Sequence, residues 1–367
     1  MFTTEGKPDL VVFTAVILLL SIGIVMVFSA SSVIGLSDHR DSFHFVKRQA
    51  GWAFLGLIAM FFLMRVDYHV FKPLALPGLL ISYLLLGLVL IIGDDISGAR
   101  RWINLGFFNL QPSEIAKLAM VNFTALYASN KREKLRRLFS GLLPILAIVA
   151  SKALLIMIEP DFGTAIAVTV TAVAVLFAGG IHLGQFFGLV IVMVPVVYRL
   201  VSQESYRMRR VMAFVDPWSD PSDTGWNIIQ SLLAVGSGGL LGLGLGASRQ
   251  KFSYLPEHHT DFIFAIVGEE LGFLGAAGVV FLFLVLAVRG VRIALHAPDL
   301  YGTLLAVGIT IMVCFQAFLN IGVTTGLLPV TGIPLPFISY GGSSLFMTLA
   351  SMGILLNISR QSRANEA

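Results

Sequence analysis

Ten apolar stretches, each about as long as a bilayer is thick, limit what this chain can fold into. They run roughly 10–34, 47–65, 72–93, 112–129, 140–158, 162–180, 183–201, 261–288, 301–325 and 338–358. A spanning helix needs about 20 mostly apolar residues, because lipid offers the backbone no hydrogen bonds and the helix must supply its own. Of the 367 residues, 56% are hydrophobic and 13% charged. A soluble domain carries about 25% charged residues, so this chain has too few to coat a globule. The expected fold class is an all-α integral membrane protein: one polytopic domain over 1–367, with about ten transmembrane helices. The first stretch is too long for the apolar core of a secretory leader, so no cleavable signal is expected.

Orientation follows from the short loops. Connections on the N-terminal side hold twelve basic residues: Lys7, Arg65, Lys72, Lys131, Arg132, Lys134, Arg136, Arg137, Arg289, Arg292, Arg360 and Arg363. Short loops on the other side hold five: Arg40, Lys47, Arg48, Arg100 and Arg101. Basic loops stay in the cytoplasm, and long loops translocate largely regardless of charge. Both termini are therefore expected inside. Loops 35–46, 94–111, 326–337 and the large loop 202–260, between spans seven and eight, are expected outside. Within the large loop, residues 226–246 are apolar but broken by glycines, which suits a half-inserted segment packed on protein. The net charge of +4 suits basic loops against anionic lipid. No basic, aromatic-interleaved face suggests nucleic acid. The single cysteine, Cys314, excludes an intramolecular disulfide.

Polar groups in or beside apolar stretches need a partner or a task. Glu257, His258, His259 and Asp261 crowd five positions before the eighth stretch. Their spacing matches no zinc signature. Asp261 reads as a general base, as a helix N-cap, or as the holder of a transient Mg²⁺ or Mn²⁺ shared with a substrate phosphate. Glu269 and Glu270, two turns deeper, are expected to bond to neighbouring helices. Glu114 and Lys117 are three apart on one helix face and are expected to pair, as a clamp or as part of a site. Arg100 and Arg101 suit phosphate oxygens, or else sit at the interface beside Trp102. Asp161 reads as the cap of the sixth span or as a ligand-facing carboxylate. Lys152 and Glu159, two turns apart, are matched loosely as a pair. Ser339, Gly341, Gly342 and Ser343 follow three prolines and open the last helix. Their N–H groups and hydroxyls suit an anion seat, and the glycine pair equally suits close helix packing.

Taken in order, GARRWI, QPSEIAKLA, EPDFGTA, the Asp216–Trp218 DPW, SRQKFSYLPEHHTDFIFAIVGEELG and PVTGIPLPFISYGGSS resemble the SEDS family (shape, elongation, division and sporulation) over nearly the whole chain. The segments IIQSLLAVGSGGLLGLGLG, RGVRIALHAPDLYG and LLNISRQSR look closer to its FtsW/SpoVE branch than to RodA. The resemblance implies a peptidoglycan glycosyltransferase in the bacterial cytoplasmic membrane. Such a protein polymerises lipid II at the outer face, releases undecaprenyl diphosphate, and works with a class B penicillin-binding protein among membrane lipids. It implies that Asp261 is the essential aspartate, with Glu114, Lys117, Asp161 and His259 on the family's motif positions. A lipid II flippase and a non-enzymatic divisome scaffold are the rival readings.

Overall fold

The computed structural model describes residues 6–96, 99–104, 106, 109–251 and 255–364. Each of the ten expected stretches contains a helix. These are α1 (Leu10–His39), α2 (His44–Leu63), α3 (Phe71–Ile92), α4 (Pro112–Asn130), α6 (Leu143–Ile158), α7 (Phe162–Ala178), α8 (Leu183–Ser202), α11 (Ile263–Leu295), α12 (Leu300–Thr324) and α13 (Gly342–Ala364). Between them lie the short α5 (Arg132–Leu135), α9 (Ser205–Val215) and α10 (Trp226–Ser237). Among the described residues, eight helices are long and apolar enough to cross a membrane. The two outside that set are α7, with 17 residues, and α4, which carries Glu114, Lys117 and Asn122. The all-α, multi-pass membrane architecture stands.

Burial orders the bundle. Two thirds of the most apolar stretch of α12 and 83% of that of α13 are buried, so these helices form the centre. None of that of α8 is buried, which leaves its apolar side chains to face lipid. The core joins side chains from α1, α4, α7, α11, α12 and α13. Because the helices alternate in direction, the connections fall at two ends. One end bears both termini. The other bears residues 40–43, 159–161 and 325–341 and the described parts of 93–111 and 203–262.

Three features differ from the sequence expectations or refine them. The segment between α3 and α4 holds a small antiparallel sheet, β1 (Asp94–Ile96), β2 (Ala99–Asn104) and β3 (Asn109–Leu110), in that spatial order. The last helix begins at Gly342 rather than near 338: the stretch before it closes a single turn, Ser339 N–H on the Leu335 carbonyl at 2.9 Å, and Phe337 at φ 66° together with the prolines keeps that turn from continuing into the helix. Lys152 does not pair with Glu159. Its Nζ hydrogen-bonds to Ser82 Oγ on α3 and lies 4.6 Å from the Tyr83 ring centroid. Lys152 sits on the α6 side turned to α3, whereas Glu159 follows the end of that helix.

The glycine-rich return after α10 is built into α11. Gly272 interrupts α11 with φ 69° and ψ −168°, a conformation that only glycine adopts freely. A break at this depth, roughly 14 Å along the axis, would strand backbone groups. The return segment takes them up. Leu243 and Gly244 N–H donate to the carbonyls of Glu269 and Glu270 at 3.0 Å. Phe273 and Leu274 N–H donate to Gly239 and Leu240 carbonyls at 2.8 and 3.2 Å. Residues 226–246 thus pack on protein, as their composition suggested. Glu270 accepts from Ser29 of α1 and lies 3.3 Å from Lys251 Nζ, while Glu269 accepts from Ser248 Oγ and Arg249 N–H. Glu270 therefore bonds to a neighbouring helix, and Glu269 bonds to the loop.

Candidate functional site

Two amides on one face of α12 organise the end away from the termini. Gln316 Oε1 accepts from Lys117 Nζ at 2.7 Å, and its Nε2 donates to the Pro334 carbonyl at 3.0 Å. One turn on, Asn320 Nδ2 donates to the carbonyls of Asp261 and Ile333 at 2.7 and 2.8 Å. Lys117 also donates to Glu114 at 2.9 Å, so the expected pair forms, deeply buried. One helix face therefore joins the Glu114–Lys117 pair, the proline-rich loop and the backbone of Asp261. Neither amide was picked out from the sequence. The signal was there: two amides four apart in an otherwise apolar stretch.

The turn before α11 is held from several sides. Ser339 Oγ donates to the Thr260 carbonyl at 2.5 Å and accepts from Leu335 N–H at 2.7 Å. Tyr340 N–H donates to the His259 carbonyl at 3.0 Å. The His258 ring is buried, with Nδ1 2.6 Å from the Leu255 carbonyl and Nε2 3.1 Å from the Ala30 carbonyl of α1. The His259 ring packs 5.0 Å from Phe45 and 5.8 Å from Tyr340, centroid to centroid. Burial lowers both histidines, His259 to about 4, so it is neutral near pH 7.

This rigid turn presents a carboxylate the chain itself does not engage. Asp261 is partly accessible, and among the described residues no donor reaches its side chain. It does not cap α11, whose N-cap is Phe262 with no side-chain cap bond. Gly332 lies beneath it, where a Cβ would stand 3.5 Å from Asp261 Oδ2. Burial raises Asp261 to about 7; Glu257 and Asp161 reinforce the shift, and Arg101 and Arg210 oppose it. Carboxylates pushed toward neutrality inside a cluster of opposite charges are typical of reactive sites.

The basic groups arrive from distant elements. Successive side chains of a strand point to opposite faces, and β2 separates its two arginines accordingly. Arg101 turns inward, its Nε donating to the Glu159 carbonyl at 3.1 Å and its Nη2 to the Pro160 carbonyl. Arg100 is exposed, 3.4 Å from the Leu90 carbonyl. Of the two arginines read as suited to phosphate oxygens, the strand turns only Arg101 toward the Asp161 turn. Arg210 of α9 lies 3.4 Å from the Val330 carbonyl and acts on both Asp261 and Asp161. Its place in the large loop gave no sign of this in the sequence. Asp161 caps α7 by accepting from Thr164 N–H at 3.1 Å. The adjacent Glu159 is fully buried, and neither carboxylate oxygen has a partner.

The start of α13 faces α2 rather than Asp261. Gly341 N–H donates to Gln49 Oε1 at 3.3 Å, and a Cβ on Gly342 would meet Trp52 Nε1 at 2.1 Å. Ser343 Oγ is buried without a partner. The N–H group expected to seat an anion is taken up by α2, and Gly342 permits the close helix contact. Ser339 buttresses the Asp261 turn from behind.

Residues 9–364 match the family model of the cell cycle proteins FtsW, RodA and SpoVE. The chain belongs to this family. It is 49% identical to stage V sporulation protein E of Bacillus subtilis (strain 168), over 99% of this chain and 100% of that one. It is 45% identical to a probable peptidoglycan glycosyltransferase FtsW of Geobacter sp. (strain M18), over 99% of both chains. A solved chain from a peptidoglycan synthase complex that coordinates polymerization and crosslinking superposes with TM-score 0.80, at 31% identity, covering 97% of this chain and 98% of that one. The rod shape determining protein RodA of Thermus thermophilus gives TM-score 0.72 at 30% identity, covering 96% and 97%.

Proposed function

We propose that this protein is a peptidoglycan glycosyltransferase, polymerising lipid II at the outer face of the bacterial cytoplasmic membrane with Asp261 as general base. One observation carries the reading: Asp261 is held rigidly by its backbone while its carboxylate is free of donors, raised to about 7, and flanked by cations from β2 and α9. The relatives named glycosyltransferases and the neighbour from a polymerising and crosslinking complex support it. Both termini are cytoplasmic in this reading, which puts Asp261 outside. A class B penicillin-binding protein is the expected partner.

In the reaction, the 4-hydroxyl of the acceptor GlcNAc attacks C1 of the donor MurNAc. Asp261 takes the hydroxyl proton as the new C1–O bond forms, and the bond from C1 to the diphosphate breaks. A positioned base contributes about 10²–10⁴-fold. Arg101, Arg210 and Lys117 offset the charge growing on the leaving diphosphate, where preorganised donors act most strongly. Among the described residues, no three His, Cys, Asp or Glu side chains lie close enough to share a metal ion. The donor set therefore fits Mg²⁺ or Mn²⁺ only as an ion held by Asp261 together with substrate oxygens. Such an ion would supply further charge compensation.

The test is glycan synthesis from lipid II by purified protein, with and without a co-purified class B penicillin-binding protein. Polymer is expected with wild type and lost with Asp261→Asn. Undiminished polymer from the variant, or none from wild type with its partner, refutes the reading.

A further inference from the structure

Glu159 is a buried acid that the mechanism above does not use. It has no exposed surface, and both carboxylate oxygens lack a partner. An ionised carboxylate in such a place is strongly disfavoured, and a neutral acid costs far less to bury. The arrangement of Arg101 points the same way. A carboxylate is a stronger acceptor for a guanidinium than a peptide carbonyl is. Yet Arg101 bonds to the carbonyls of Glu159 and Pro160 and leaves the Glu159 side chain alone. That choice of acceptors is what a neutral Glu159 would produce. Two carbonyls hold the guanidinium in place without cancelling its charge.

We infer that Glu159 is a positioning residue that works as a neutral acid: while it keeps its proton, the Arg101 charge stays uncompensated and open to the diphosphate. The inference rests on the proposed reaction for its purpose, though not for the protonation state. The charged groups facing Glu159 are Arg101 from β2 and Asp161 from the same turn. Lys152, two turns back on α6, is engaged with Ser82 on α3. Burial raises Glu159 to about 8, Asp161 adds to this, and Arg101 opposes it. Above that pH the side chain ionises, draws Arg101 into an ion pair, and removes the cation from the site. The cost falls on donor binding and on the leaving group.

The experiment compares wild type with Glu159→Gln in the purified complex, using lipid II and initial polymerisation rates from pH 6 to 10. The glutamine variant mimics the neutral acid. It is expected to keep the wild-type rate at pH 7 within about twofold and to lose the wild-type decline above pH 8. A second readout does not need activity. Infrared difference spectra at pH 7 should show a protonated-carboxyl band that Glu159→Gln lacks and that fades in wild type above pH 8. A missing band at pH 7 overturns the inference even if the protein makes no glycan. So does an unchanged alkaline decline in the variant, or a rate about tenfold lower at pH 7 in a variant with wild-type thermal stability.

Discussion

Two pairs of carboxylates at opposite ends of the helix bundle are treated in opposite ways. At the end bearing the termini, Asp9 and Asp299 are saturated. Asp9 accepts from Arg289 Nη2 at 2.6 Å and from Val11 N–H at 3.0 Å. Asp299 accepts from Lys72 at 2.9 Å, from Tyr68 Oη at 2.8 Å and from Gly302 N–H at 2.8 Å. Burial alone would raise Asp299, but these donors outweigh it and hold it at about 2. At the other end, among the described residues, Asp261 and Glu159 have no donors and are pushed up, while the hydrogen bonds of Arg101 and Arg210 go to carbonyls. Donor-rich carboxylates tie helices together. Asp261, kept rigid by its backbone, awaits a partner the chain does not supply, and Glu159 stays apart as a buried acid.

The contrast can be broken by mutation, and the largest effect is expected at Asp261. Asp261→Asn should lower polymerisation about 10²–10⁴-fold without lowering the thermal midpoint. Its folded-state pKa of about 7 lies above the ordinary 3.8. The folded protein therefore keeps a proton that the unfolded chain has lost, and stability falls as pH rises from about 4 to 7. Asparagine removes that cost, so the variant should be as stable as wild type or more so at neutral pH. Wild-type polymerisation should rise with pH through about 7. A destabilised Asp261→Asn protein would erase the distinction between the ends.

Asp9→Ala should do the reverse. It strands the Arg289 guanidinium, whose side chain is 20% accessible, and should cost about 3 kcal/mol of stability in a thermal or denaturant assay. The rate per folded molecule should be unchanged. Arg101→Gln should lower polymerisation about 10–100-fold, while Arg100→Gln should change it less than about twofold. Equal losses would mean that strand alternation does not decide which arginine matters. The smallest effect is expected at Asp299, whose side chain is one third exposed. Asp299→Asn should cost about 1 kcal/mol at pH 7. Because its folded pKa is depressed, the wild-type advantage should shrink as pH falls below about 4 and vanish near 2.

Much of this was readable in the residues, wherever the physics is local. Glu114 and Lys117 pair because three residues of helix bring them together. Asp161 caps α7 because an aspartate before a helix start finds a free N–H three residues on. The Lys152–Glu159 match failed because helix spacing says nothing about a serine on the next helix. That Arg100 and Arg101 face opposite ways was not legible, because the short strands β1, β2 and β3 carry no apolar alternation that would reveal them. Glu159 was read as one half of a pair, and the structure leaves it alone.

The amino-acid sequence by itself determined the helices and their order, since in lipid each apolar stretch must satisfy its own backbone hydrogen bonds. It also determined which polar residues would need an explanation. Only the tertiary structure decided which of them are satisfied. Gln316 and Asn320 can link Lys117 to the Asp261 turn, and residues 239–244 can mend α11 at Gly272, only because segments far apart in the chain meet within 2.7–3.2 Å. A hydrogen bond weakens steeply beyond that range, so the pairing of charges belongs to the packing of the bundle.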